Sequence, residues 1–222
     1  MTRLSPLALE EVDPETREMI NNAERLMGFV PNDALVMARH PALTRAMWGL
    51  VAAVYGPGSV DNGLKRLIGE AASKAAGCFY CSAHAAHGAL EQGVGQEKID
   101  AVWSFEDSPL FSDAERAAIN LAMKASRVPN EASDEDFDQL RQHFSEAEIV
   151  EIVAVISMFG FLNRWNSTLG TALEPVPMAS IEDLTQAFGC TKSSRCERVC
   201  LTYRTDHTNL SGQIWMPHAG YI

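Results

Sequence analysis

Two cysteines and two histidines recur at three-residue steps in the stretch GCFYCSAHAAHGAL, which runs from Gly77 to Leu90: Cys78, Cys81, His84 and His87. The alanine-rich surroundings favour a helix. Residues three apart are neighbours on a helix, so the four side chains fan across one side of it. Gly77 permits a break in the chain, which would place the two cysteines in the first helical turn.

A Cys-X-X-Cys pair in the first turn of a helix is suited to thiol redox chemistry. The free N–H groups and the helix dipole favour a thiolate there, and the spacing lets the pair close into a disulfide with little motion. His84 follows Cys81 by three residues and is placed to accept the thiol proton or to stabilise the thiolate. The stretch therefore predicts a redox-active thiol pair.

Two other interpretations of the same residues remain open. Free cysteine is among the most buried residue types, so Cys78 and Cys81 are also compatible with an ordinary core. Four Cys and His side chains suggest zinc, but ligands fanned along one helix cannot converge tetrahedrally on one ion. We therefore predict no metal and no cofactor. His87 and Tyr80 are predicted to be packing residues that could support the site.

Composition restricts the class of protein and its partners. The chain has 222 residues, 46% hydrophobic and 21% charged, as in a globular protein. Its net charge of −11 argues against nucleic acid or an anionic membrane surface as partner. The N-terminus lacks a signal-peptide pattern, and the most apolar segment, residues 149–162, is shorter than the roughly 20 residues that span a bilayer. We expect a cytoplasmic protein, where a close cysteine pair indicates catalysis or metal binding more often than a structural disulfide.

Helix signals dominate the chain and predict an all-α domain of seven or eight helices over residues 1–175. Helix starts are expected at Pro14, Asp33, Ala42, Asp61 and just after Gly77, and at the capping signals of Ser112, Ser133 and Ser145. The last of these helices is apolar almost all round over residues 149–162, so its centre is expected to be buried. Residues 176–222 are predicted to form an irregular tail, to which we assign no role.

Four segments carry a resemblance to a known family. They are GFVPN (residues 28–32), AAGCFYCSAHAAHGALEQGV (75–94), FSDAERAAINLAMK (111–124) and FGFLNRWNSTLGTALEPVP (159–177). In these segments the chain resembles the carboxymuconolactone decarboxylase and alkylhydroperoxidase D (AhpD)-like superfamily, over residues 13–177. The resemblance implies an all-helical fold that assembles into homo-oligomers, either trimers or hexamers.

The resemblance also implies a peroxidase or disulfide-reductase cycle. Cys81 would attack a hydroperoxide and become a sulfenic acid, and Cys78 would resolve it to a disulfide. The implied partners are a hydroperoxide substrate and a dithiol reductant of the thioredoxin or lipoyl type.

The chain departs from the family pattern at two positions. The family's histidine lies four residues after the second cysteine, where this chain has Ala85, so we expect His84 to replace it. A family glutamate twelve residues before the first cysteine is here Arg66, which would favour a thiolate if it points inward. Glu70, one turn later, is predicted to complete a proton relay with His84, although an exposed or capping role fits it equally well. Residues 163–165 are expected to serve packing or oligomer contacts.

Three functions follow from these residues. The leading hypothesis is a thiol-dependent hydroperoxidase. A lactone decarboxylase-like activity is the second, although those relatives do not use a Cys-X-X-Cys pair. The third is a helical oligomer whose cysteines sense redox state or have no chemical role.

Overall fold

The computed structural model describes residues 2–180, and helices are the only regular secondary structure in this part of the chain. Its ten α-helices are α1 (Pro14–Met27), α2 (Asn32–Met37), α3 (Pro41–Tyr55), α4 (Asn62–Ala76), α5 (Phe79–Glu91), α6 (Gln96–Asp100), α7 (Asp113–Ala125), α8 (Asp134–Leu140), α9 (Glu146–Leu169) and α10 (Pro175–Met178). Short 3-10 helices cover Leu9–Glu11 and Ala101–Ser104. The predicted all-α fold is confirmed. The eight predicted helices are present, and α6 and α10 were not predicted.

Capping residues fix most helix boundaries where the sequence predicts them. Asp13 accepts a hydrogen bond from the backbone N–H of Thr16, and Gly28 ends α1 in the left-handed conformation. Ser112 and Ser145 open α7 and α9 as capping boxes. Helices α6 and α10 have five and four residues, too few for a periodic apolar pattern to indicate them.

Helix α4 lies at the centre of the fold, packed against α5, α7 and α9. Its residues Ile68, Ala71 and Ala72 are fully buried, and Ala83 of α5 is buried too. A Cβ atom at Gly69 would clash with the ring of Phe159. Because glycine carries no Cβ, α9 can approach α4 this closely.

Only one face of α9 is buried, which corrects the expectation that its centre is enclosed. Ile152 and Val155 point into the core, whereas Val150 is 67% exposed and Val153 and Phe161 are also exposed. The helix packs against α3, α4, α5 and α7 on one side. Its opposite side therefore presents apolar side chains on the surface of the single chain.

The predicted tail begins as ordered structure. Residues 176–178 belong to α10, which packs against α5, and Ser180 contacts His87. The rest of the predicted tail, residues 181–222, lies outside the described residues. Within residues 2–180, none of the helices has the length and hydropathy needed to cross a membrane.

Candidate functional site

The two cysteines lie where α4 ends and α5 begins. Gly77 closes α4 with a φ of 70°, and Cys78 is the N-cap residue of α5. Cys81 follows in the first turn, as the sequence predicts. Both are free thiols and both are buried, with 2% and 3% of their surface exposed.

The environment of the pair makes the two thiols unequal. A hydrogen bond from the Cys81 thiol, helped by the Ser167 hydroxyl and the Cys81 backbone N–H, lowers the pKa of Cys78 against the effect of burial. Burial raises the pKa of Cys81 well above its usual value, and the neighbouring Cys78 sulfur raises it further. When the pair is reduced and one proton is lost, the thiolate therefore resides on Cys78.

Asn166 of α9 connects the inner thiol to a carboxyl group. Its Nδ2 atom lies 3.4 Å from the Cys81 Sγ and 3.2 Å from the Asp33 Oδ2. Desolvation raises the pKa of Asp33, and the opposing effect of His84 is smaller. A carboxyl group that holds its proton more tightly than usual thus lies one amide away from Cys81.

His84 is held by Glu174 at the start of α10. The His84 Nε2 lies 2.7 Å from one Glu174 oxygen, and the Tyr80 hydroxyl donates to the other at 2.8 Å. The Tyr80 ring also stacks on the imidazole, with ring centroids 4.2 Å apart. Burial acts to raise the pKa of Glu174, but the hydrogen bond and charge of His84 and the Asn32 backbone N–H outweigh it and lower the pKa. An ionised carboxylate therefore accepts from the histidine, which orients the ring.

The loop between α1 and α2 encloses this cluster from the other side. Phe29 packs edge-on against His84 and His87, with ring centroids 5.1 and 5.6 Å away. The Asn32 side chain donates to the Ala172 carbonyl at 3.0 Å. The GFVPN and LEPVP segments, far apart in sequence, therefore meet at His84.

Comparison with known proteins identifies the family. The model of the carboxymuconolactone decarboxylase family matches residues 41–124, which contain both cysteines. The crystal structure of the debrominase Bmp8 is 34% identical, with a TM-score of 0.75 over 81% of this chain and 96% of that chain. The chain belongs to the carboxymuconolactone decarboxylase and AhpD-like superfamily.

Other relatives extend the likeness within this superfamily. A peroxidase-related protein with an AhpD core from Ralstonia eutropha JMP134 is 25% identical, with a TM-score of 0.72 over 79% of this chain and 94% of its own. The uncharacterized protein YdfG of Bacillus subtilis (strain 168) is 24% identical over 113 residues, which are 50% of this chain and 77% of that protein. A variant of Bmp8 with one cysteine changed to alanine is similar too, and its structure contains 2,3,4-tribromopyrrole.

Glu70, predicted to complete the relay, is paired elsewhere. Its carboxylate forms a buried ion pair with Lys74, 3.0 Å away and one turn along α4. Burial raises the pKa of Glu70 to about 7, against the lowering effect of Lys74. The structure therefore brings Glu174, rather than Glu70, to His84.

The supporting residues have contacts of their own. The Arg66 guanidinium lies 3.7 Å above the centroid of the Tyr55 ring. A Cβ atom at Gly88 would lie only 2.9 Å from the Arg66 side chain. His87 contacts the Met27 carbonyl and the Ser180 hydroxyl at 3.2 Å each. Arg66 thus stacks on an aromatic ring of α3.

Sequence reasoning missed Asp33, Asn166 and Glu174 as site residues. Each lies within or beside a segment that carries the family resemblance, and that position was their only signal. Among residues 2–180 there is no group of three or more His, Cys, Asp or Glu side chains arranged to hold a metal ion.

Proposed function

We propose that this protein is a dithiol-dependent reductase whose Cys78–Cys81 pair reduces hydroperoxides. The observation that carries the proposal is the pairing of two free thiols at the start of α5, with the pKa of Cys78 lowered by its surroundings. Membership of a superfamily with AhpD-like members supports it.

The cycle balances as a two-electron reduction. A Cys thiolate attacks the outer peroxide oxygen, so an S–O bond forms while the O–O bond breaks, and the alkoxide leaves as alcohol after taking a proton. The second sulfur then attacks the sulfenic acid, water leaves and a disulfide forms. A dithiol of the thioredoxin or lipoyl type supplies two electrons and two protons to restore the thiols.

Two orders of attack are distinguishable. The lowered pKa of Cys78 favours Cys78 as the first nucleophile, with Cys81 resolving. The family resemblance implies the reverse, with Cys81 peroxidatic and Cys78 resolving, and that order stays a prediction.

The proton transfers are assigned to His84. It lies one turn beyond Cys81 on α5, and its contact with Glu174 supports an acid–base role. We assign to Glu174 the orienting role that the sequence suggested for Glu70.

The experiment treats reduced protein with about one equivalent of cumene hydroperoxide, and intact mass and peptide mapping follow. Because Cys190, Cys196 and Cys200 would complicate the thiol count, the background variant carries serine at these three positions. We expect rapid loss of two thiols as a Cys78–Cys81 disulfide, followed by turnover with dithiothreitol. Thiols that stay reduced in the folded protein would contradict the proposal.

Single cysteine variants decide the order of attack. In the same background, Cys81→Ser should still form a sulfenic acid that dimedone traps, whereas Cys78→Ser should react slowly. The opposite pattern would establish the Cys81-first order. Oxidation without turnover would instead indicate a redox sensor, and a lactone decarboxylase activity would survive loss of both cysteines.

Reductive debromination is a second candidate, favoured by the 34% identity to Bmp8 over nearly its whole length. Here a thiolate would attack bromine, an S–Br bond would form, and the ring carbon would take a proton as the C–Br bond breaks. The second sulfur would then displace bromide and close the disulfide. Incubation with 2,3,4-tribromopyrrole and dithiothreitol, with bromide measured, tests this, and Cys78→Ser serves as the control.

We also propose that the chain forms a homo-oligomer, a trimer or hexamer. The exposed apolar side chains of Val150 and Phe161 on α9 support it, since exposed apolar patches mark interaction sites. Analytical ultracentrifugation of the wild type and of Val150→Glu would test it. A monomeric wild type would exclude it.

A further inference from the structure

A groove of about 1280 Å³ opens beside Gly77, the residue that precedes Cys78. Its walls come from the ends of α4 and α7, from the segment after α7, and from the outer face of α9. Small-molecule sites commonly have volumes of roughly 300–1,000 Å³, so the groove has room for a compact organic ligand.

The groove reaches two residues that neighbour Cys78. Gly77 and Ser167 both line it, and Gly77 directly precedes Cys78 in the chain. Ser167 is exposed, and its hydroxyl is one of the groups that lower the pKa of the Cys78 thiol. Ser167 thus lies both in the wall of the groove and beside Cys78, whereas the Cys81 sulfur contacts Asn166.

The charge of the groove is opposite to that of the whole chain. Its three cations are Lys74, Arg127 and Arg164, and its one acidic residue is Glu131. Glu70 neutralises Lys74, and Glu131 neutralises Arg127. Among the described residues Arg164 has no ion-pair partner, in a chain whose net charge is −11.

Arg164 is also well placed relative to the thiol. It lies three residues before Ser167 on α9, so the two side chains are neighbours on one exposed face of the helix. Apolar side chains, among them Leu121, Phe137 and Ile156, provide the rest of the wall. The groove thus combines a cation without an ion-pair partner among the described residues, an apolar wall and a position next to Cys78.

We propose that this groove binds compact aromatic or aliphatic carboxylic acids that carry a hydroperoxide, with the carboxylate on Arg164 and the peroxide directed at Cys78. A guanidinium and a carboxylate match in charge and in bidentate geometry, and the apolar body of the acid would cover Ile156 and Phe137. The inference rests on the proposed function of the cysteine pair for its chemistry but not for binding.

Binding is tested first, with an unreactive pair of probes on the full chain. Isothermal titration calorimetry compares para-isopropylbenzoate with the neutral para-isopropylbenzamide. We expect the anion to bind about tenfold more tightly, as a charge-assisted hydrogen bond can provide. Arg164→Met should abolish the difference, Arg164→Lys should keep most of it, and the matched control Arg45→Met should leave it unchanged, because Arg45 pairs with Glu15 on a different helix pair.

Turnover is tested with cumene hydroperoxide bearing a para-carboxylate and with its methyl ester, at matched dithiothreitol. The acid should have the higher kcat/KM, and Arg164→Met should lower it about tenfold while the ester changes less than twofold. Equal affinities for the two calorimetric probes, or a preference that survives Arg164→Met, would overturn the inference. If neither peroxide oxidises the cysteine pair, the proposed function is wrong. The calorimetric comparison still shows whether the groove binds a carboxylate through Arg164.

Discussion

The buried Glu70–Lys74 pair contributes stability that is lost as the pH rises from 4.5 to about 7. The Glu70 side chain is almost fully buried, and its Oε2 has no hydrogen-bond partner among the described residues. Burial consequently raises the pKa of Glu70 from 4.5 to about 7 in the folded state. Between these two values the unfolded chain has lost the proton while the folded chain keeps it, so each step to higher pH favours unfolding.

The magnitude follows from the distance between the two pKa values. At about 1.4 kcal/mol for each pH unit, the interval from 4.5 to about 7 amounts to about 3–4 kcal/mol, lost as the pH rises through that window. The double variant Glu70→Leu/Lys74→Met replaces both charged side chains with apolar ones of similar size. Replacing a buried pair in this way is often neutral or stabilising by about 1–4 kcal/mol.

The assay is equilibrium urea unfolding of the wild type and the double variant at pH 5 and pH 8. We expect the free energy of unfolding of the variant, relative to the wild type, to grow by at least about 2 kcal/mol from the lower to the higher pH. The single variant Glu70→Gln leaves Lys74 buried without its partner, so it should be the least stable of the three at pH 8. Parallel pH dependence of wild type and double variant, within about 0.5 kcal/mol, would refute the reasoning.

Three more predictions concern the cluster around the thiols. Tyr80→Phe should cost about 1–3 kcal/mol in urea unfolding, because the hydroxyl donates to Glu174 and accepts from the Asp33 N–H; an unchanged midpoint would contradict this. Asn166→Ala removes the amide donor to Cys81 and should slow disulfide formation after peroxide addition about tenfold, as loss of about 1.4 kcal/mol implies. Stopped-flow thiol assays would measure this rate. An unchanged rate would mean that the amide has only a packing role. Because the pKa of Glu174 is lowered, its ionised form contributes stability above pH 4.5 that is lost as the pH falls through the lowered value, so the advantage of wild type over Glu174→Gln should shrink in acid; a constant difference from pH 7 to pH 3 would be incompatible with it.

Local features of the fold could be predicted because their causes lie within a few residues. The N-cap of Asp13, the capping boxes of Ser112 and Ser145 and the turn at Gly77 each depend on neighbours in the chain. The placement of Cys78 at the start of α5 followed from that turn. Helix starts and the position of the thiol pair are therefore readable from sequence.

The partners of the site could not be predicted because they are distant in the chain. His84 and Glu174 are 90 residues apart, and Asn166 and Asp33 are 133 apart. The sequence offered Glu70 instead, since it precedes the cysteines on a neighbouring helix. In the structure, the Glu70 carboxylate pairs with Lys74, four residues later. The i,i+4 spacing of the two residues is a signal for such a pair, and the sequence analysis did not use it.

The exposed face of α9 illustrates a different limit. Composition alone shows that residues such as Val150 and Phe161 are apolar, but not which side of the helix has a neighbour. One side packs against the core helices of the same chain, and nothing within residues 2–180 covers the other.

The proposed chemistry needs a thiol pair and a histidine that transfers protons. The residue that orients this histidine, Glu174, lies far from the cysteines in the chain. The left-handed Gly170 ends α9, and the carboxylate that holds His84 follows only four residues later. A protein shortened at Gly170 would retain both cysteines, their helix and Asn166, yet its imidazole would lose the group that orients it. The thiol pair and the group that orients His84 therefore lie in different parts of the chain. A change in the short segment after Gly170 would alter proton transfer by His84 and leave the two cysteines in place.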